Sequence, residues 1–165
     1  MQDIALAVMR LQPLHRGHEM LIGRMLKECD QAIVAIGSIQ AHDARNPYSF
    51  EQRRAMVEAC FNDASDRLDL IGLRDIGAPD TRSWAAYVLG TIAQAGLKRP
   101  THYYAGSEDA HWFEGVLPVR RLDRFSEGAG ISATAIRADL KAGRSVEDRI
   151  PKAVLELIQR WQHGV

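Results

Sequence analysis

Cysteine is scarce in this chain: there are two in 165 residues, Cys29 and Cys60. Neither forms a C-x-x-C pair. That argues against a disulfide framework or a zinc site and fits reduced thiols in a cytoplasmic protein. Long apolar runs are missing too, and no stretch approaches the ~18 residues that a membrane span needs. The acidic Asp3 lies near the start, with no basic region leading into an apolar stretch, so no signal peptide is expected. Charge of one sign is not in excess either, since Lys plus Arg and Asp plus Glu number 21 each. Zero net charge is unlike the basic surplus of proteins that bind nucleic acid or membrane surfaces. Several catalytic signatures are absent: G-x-x-x-x-G-K-[ST], H-E-x-x-H and G-x-S-x-G. His42, His102, His111 and His163 share no metal-ligand spacing, so no protein metal site is expected.

The chain does contain an ordinary apolar fraction, 46%, at a length that a single domain over residues 1–165 accounts for. Strands are expected at 3–9, 31–36, 68–74, 102–105 and 118–122. Helices are expected near 17–29, 50–62, 83–96, 133–142 and 151–162, with a short one near 108–114 that carries Trp112 and Phe113 onto the sheet. This alternation predicts an α/β fold, a parallel sheet covered by helices on both faces. Ligands of such sheets bind beyond the carboxyl ends of the strands, where strand order reverses. Residues 37–49 form the longest irregular stretch, and a loop of that length in a compact domain is more often functional than idle.

The tetrad His15-Arg16-Gly17-His18 follows the first strand and opens the first helix, whose Met20, Leu21, Met25 and Leu26 share a face. In a strand-to-helix turn, free backbone N–H groups and the helix dipole attract anions. Gly17 has no Cβ to keep the backbone away from a ligand. A phosphate-handling site is the expectation. Near the other end, Ser132 is suited to cap a helix. Thr134 and Arg137, three apart, share its first turn as a possible second phosphate cradle.

The pairing of H-x-G-H with I-S-x-T-x-I-R resembles the nucleotidylyltransferase superfamily. Within it, the run from Arg10 through Gln12-Pro13 to His18 is similar to that of nicotinamide-nucleotide adenylyltransferases of the archaeal type and their bacterial relatives. Further matches are Gly37-Ser38-Ile39-Gln40, Arg45-Asn46-Pro47-Tyr48 with Glu51-Gln52-Arg53, and Ile150-Pro151-Lys152-Ala153-Val154. The resemblance covers nearly the whole chain, so the Nudix hydrolase domain fused to some bacterial relatives is not expected here.

The resemblance implies a Rossmann-like fold and adenylyl transfer from ATP to nicotinamide mononucleotide. His15 and His18 would contact the ATP phosphates and stabilise the reacting α-phosphate. Arg10 would align the mononucleotide phosphate, with Arg53 in the same region. Ser132, Thr134 and Arg137 would hold the β- and γ-phosphates, and Trp84 would stack on the nicotinamide ring. Trp84 also shares a helical face with Val88 and Ile92, so a core role competes. The resemblance further implies Mg²⁺ carried on the ATP phosphates, small-molecule rather than nucleic-acid or membrane partners, and a homo-oligomer.

Departures from the family pattern fall at Met9, Leu11 and the loop Ser107-Glu108-Asp109, which bears on the accepted nucleotide. Two alternatives stay open. One is transfer to another phosphate acceptor, such as phosphopantetheine, FMN or a sugar or glycerol phosphate. The other is a nucleotide sensor without turnover.

Overall fold

The computed structural model describes residues 1–122 and 130–164. Five strands, β1 (Ile4–Met9), β2 (Gln31–Ile36), β3 (Leu68–Gly72), β4 (His102–Ala105) and β5 (Val119–Arg121), form one sheet in the order β3-β2-β1-β4-β5. Every pairing is parallel, with Ile4 opposite Gln31 and Met9 opposite Ile36 in the longest ladder. The helices are α1 (Arg16–Glu28), α2 (Phe50–Cys60), α3 (Thr81–Gln94), α4 (Ala133–Lys141) and α5 (Lys152–Gln162).

Helices cover both faces, which is why β1 and β2 read as unbroken apolar runs rather than alternating ones. On one face Ala5, Ala7, Met9, Val34 and Tyr104 meet Ile22 and Met25 of α1, Met56 and Val57 of α2, and Val154 and Ile158 of α5. On the other, Leu6, Ile33, Ile71 and Tyr103 meet Ala85, Val88 and Ile92 of α3, together with Phe113.

The expected elements are all present, shifted by a few residues. The third helix begins at Thr81 because Asp80 caps it, accepting from Ser83 N at 2.7 Å. The short helix near 108–114 is a 3₁₀ turn over Ala110–Phe113. The chain runs outward from β1 through β2 to β3, then crosses back to place β4 on the other side of β1. The strand order therefore reverses between β1 and β4, and the turns leaving these two strands flank the crevice.

Candidate active site

The turn after β1 is held from two sides. Leu11 is buried and adopts φ 56, in the left-handed region. Gln12 exchanges two hydrogen bonds with Tyr48, donating from Nε2 to the Tyr48 carbonyl and accepting from Tyr48 N, both at 2.9 Å. Arg137 Nη1 of α4 donates to the Gln12 carbonyl at 2.8 Å. Two distant parts of the chain, the 37–49 loop and α4, thus fix one turn.

His15 and His18 form a reciprocal cap at the start of α1. His15 Nδ1 accepts from Gly17 N at 3.0 Å, and His15 N donates to His18 Nδ1 at 3.1 Å. Their rings stack with centroids 3.7 Å apart. Because both Nδ1 atoms accept, each neutral ring carries its proton on Nε2, where it is a donor.

Two sequence expectations change here. Gly17 is required for a different reason: a Cβ would stand 2.8 Å from His15 Cε1, so the missing side chain makes room for the histidine ring. The first-turn amides are also partly spent, since Gly17 N serves His15 and Arg16 N donates to the Arg149 carbonyl at 2.8 Å. Attraction for anions at this turn therefore rests more on side chains than the sequence suggests.

Two cavities meet at this point. The larger, about 580 Å³, lies within the range of small-molecule sites. Its lining comes from both faces of the sheet. On one side are Trp84, Trp112 and Tyr103; on the other are Gly17 and Leu21 of α1, with Tyr104; Ile76 and Leu122 add to the wall. The smaller, about 410 Å³, is lined by Arg10, Leu11, Gln12, His18, Arg45, Ala133, Thr134 and Arg137. Arg10 and His18 line both.

The structure thus brings together Arg10, His15, His18, Thr134, Arg137 and Trp84. Ser132 caps α4, accepting from Ala135 N at 3.3 Å, and stands outside the lining of both cavities. Arg53 does not reach the cavity surface, contrary to the mononucleotide contact expected of it. Its side chain is fully buried beneath the turn, and its guanidinium donates to the carbonyls of Arg10, Gly37 and Ser49. Burial, and then the charge of Arg10, holds that guanidinium below its ordinary pKa.

Trp84 is half-buried. It packs against the α3-side core and also faces the larger cavity, edge-on to Trp112 at 6.2 Å between centroids. Core packing and exposure to the cavity thus coexist in this one side chain.

Two residues were missed by sequence reasoning. Arg45 enters the smaller cavity because Asp43 Oδ1 gathers Arg45 N, Asn46 N and Asn46 Nδ2 at 2.9–3.0 Å into a tight turn. Its signal was its place in the long irregular loop. Trp112, expected only to pack on the sheet, joins Trp84 in the wall. Asp75, Glu108 and Asp109 add carboxylates to the larger cavity, and Asp75 accepts from Ser38 Oγ at 2.9 Å. Among the described residues, no three of His, Cys, Asp and Glu are placed to hold a metal ion. No helix among them is long and apolar enough to cross a membrane.

A cytidylyltransferase-like family model matches residues 10–139. The nicotinamide-nucleotide adenylyltransferase of Methanospirillum hungatei is 30% identical over 159 residues, spanning 94% of this chain and 86% of that protein. That of Pyrococcus horikoshii is 32% identical over 166 residues, spanning 93% and 81%. Among solved structures, a bifunctional NMN adenylyltransferase/ADP ribose pyrophosphatase from Francisella tularensis, complexed with AMP and a manganese ion, matches with a TM-score of 0.73 at 20% identity. That match covers 99% of this chain and 54% of the Francisella chain, so this chain spans about half its length, and the likeness shows the fold. On the sequence matches, with the fold in agreement, the chain belongs to the cytidylyltransferase-like nucleotidyltransferases and, among them, to the nicotinamide-nucleotide adenylyltransferase family.

Proposed function

We propose that the protein transfers the adenylyl group of ATP to nicotinamide mononucleotide, giving NAD and pyrophosphate. One observation carries the reading within the family: Arg10 and His18 stand where the two cavities join. The reacting α-phosphate fits at that junction. The β- and γ-phosphates fit the smaller cavity, against Arg45, Thr134 and Arg137. The two bases fit the lobes of the larger cavity on either side of the sheet, with the nicotinamide ring between Trp84 and Trp112 and the adenine beside Leu21 and Tyr104.

In this arrangement a mononucleotide phosphate oxygen attacks the α-phosphorus in line. The new P–O bond forms as the bond to the β-phosphate breaks, and pyrophosphate leaves with that electron pair. The nucleophile is already anionic at neutral pH, so no strong base is needed. Two polyanions must instead be brought together, which is work for fixed donors and cations. Arg10 orients the attacking phosphate. His15 and His18 donate from Nε2 to the α-phosphate, and Arg45, Thr134 and Arg137 hold the departing charge. Arg137 is itself fixed by its bonds to the Gln12 carbonyl and to Thr134 Oγ1, at 2.8 and 3.3 Å. Ser132 supports the last group by starting α4.

The donor set fits a Mg²⁺ held through ATP phosphates and water, which would supply further charge neutralisation there. The carboxylates of Asp75, Glu108 and Asp109 suit a cationic pyridine ring bearing a neutral amide and disfavour a nicotinate, which adds an anion. Free thiols at Cys29 and Cys60 fit the reducing cytoplasm. Self-association is proposed from the family alone, and sedimentation reads it directly.

The test is pyrophosphate release from ATP and Mg²⁺ with a panel of acceptors. Nicotinamide mononucleotide should give NAD and outcompete nicotinate mononucleotide. Turnover only with phosphopantetheine, FMN or a sugar or glycerol phosphate would overturn the acceptor. ATP binding without turnover on any acceptor would leave a sensor.

A further inference from the structure

Arg53 is a fully buried arginine for which no carboxylate partner appears among the described residues. Its acceptors are backbone carbonyls. Nη1 donates to the Arg10 carbonyl at 2.9 Å and to the Gly37 carbonyl at 2.6 Å, while Nε reaches the Ser49 carbonyl at 3.3 Å. Nη2 is buried without a hydrogen-bond partner. Burying a cation is costly, and a core leucine would fill the space without that penalty.

The two carbonyls held by Nη1 share a distinctive position. Arg10 precedes Leu11 at φ 56, and Gly37 precedes Ser38 at φ 52. These are the only non-glycine residues with positive φ among the described residues. Each such conformation is strained for a residue with a side chain and persists only where its surroundings enforce it. One nitrogen thus pins the peptide plane entering each strained residue, one at the end of β1 and one at the end of β2.

Those two strand ends begin the two halves of the site. After Leu11 comes the turn with His15 and His18, steadied by Tyr48 and Arg137 through Gln12. After Ser38 comes the bond to Asp75, which leads into Ile76 at the wall of the larger cavity. Each half has its own hydrogen bonds. Between the segments leaving β1 and β2 run the Arg53 bridge, the neighbouring backbone bond from Gly37 N to the Met9 carbonyl at 2.9 Å and, farther along, the paired bonds of Gln12 with Tyr48; of these, only the Arg53 bridge lies at the two strained residues.

We propose that Arg53 is a positioning residue for adenylyl transfer, its guanidinium setting the phosphate half of the site against the mononucleotide half without touching either substrate. The inference rests on the two-substrate reading above. Misplacement by about 1 Å can cost ~10²-fold in rate while leaving separate binding events intact. Lysine keeps the charge but not the planar fork, so it is not an equivalent substitute here.

The experiment measures kcat, together with the separate dissociation constants of ATP and nicotinamide mononucleotide, for wild type, Arg53→Lys and Arg53→Met. Wild-type NAD formation in the same assay tests the two-substrate reading by itself. The proposal expects kcat to fall ~10-fold or more in Arg53→Lys and further in Arg53→Met, with each dissociation constant within about threefold of wild type. Unchanged kcat overturns it. So does a loss of affinity for one substrate alone, which would mean direct contact. A fall in both affinities with a lowered Tm would also overturn it, as a general structural role. If neither variant folds, wild-type protein labelled with ¹⁵N-arginine decides. The Arg53 guanidinium protons should exchange slowly with water, and added inorganic pyrophosphate should move their signals less than those of Arg10 and Arg137. A shift equal to theirs overturns the proposal.

Discussion

At the scale of single residues, the two histidines serve stability and chemistry with different atoms. Nδ1 of each ring is engaged in starting α1, while Nε2 is the atom that the proposed mechanism assigns to the phosphate. His18→Ala should therefore slow kcat by ~10²–10³, the usual cost of one preorganised donor. It should also lower stability by about 1 kcal/mol, the usual worth of a helix cap. His15→Ala should behave alike, and the double variant should lose less rate than the sum, because both rings act on one transition state. Steady-state kinetics at saturating substrate, paired with thermal melts, separates the two effects. A His18→Ala kcat within a few-fold of wild type would remove this residue from the mechanism. Gly17 and Arg53 mark where the sequence was hardest to read. The turn at Gly17 is plain in the sequence, but its real constraint is the neighbouring ring at 2.8 Å. An arginine on an amphipathic helix is ordinarily assigned to the surface, and only the tertiary fold shows carbonyls converging on Arg53.

At the scale of elements, the strands and helices were legible because both faces of this sheet are buried. Unbroken apolar runs separate cleanly from helical periodicity in that setting. Their ends were less legible, as caps such as Asp80 act through single hydrogen bonds. The joint between α4 and α5 could not be read at all. Asp139 accepts from Arg144 Nε and Arg149 Nη2, each at 2.7 Å, and the Arg149 carbonyl accepts from Arg16 N. One carboxylate thus steadies the segment that meets the start of α1. Arg144, and then Arg149, hold the Asp139 pKa below its ordinary value. A depressed carboxylate contributes stability above its unfolded pKa, near ~3.9, and that contribution disappears as pH falls through the folded value. Asp139→Asn should accordingly lower Tm at neutral pH. The gap from wild type should close as the pH falls through the depressed folded pKa, below which both proteins carry a neutral side chain at this position. A gap that stays constant with pH would mean that packing, not charge, sets the effect.

At the scale of the whole molecule, the sheet order placed the site where strand order reverses, and the sequence could locate that place from the first strand and its turn. It could not show that the cavity draws on both faces, because Trp84, Trp112, Leu21 and Tyr104 converge only through the crossover to β4. Nor did the match at Arg45-Asn46-Pro47-Tyr48 show that Arg45 faces the smaller cavity. The smaller cavity has a physical consequence beyond holding phosphates. Arg10, Arg45 and Arg137 gather there on a chain whose charges sum to zero, with 21 of each sign. The protein is neutral as a monopole yet presents a cationic funnel to a diffusing polyanion. Encounter is then steered by local field rather than by net charge. The kcat/KM for ATP should fall steeply as added salt shortens the screening length from ~30 Å at 0.01 M to ~10 Å at 0.1 M, with kcat nearly unchanged. A flat salt profile would show that ATP finds this site by unguided diffusion.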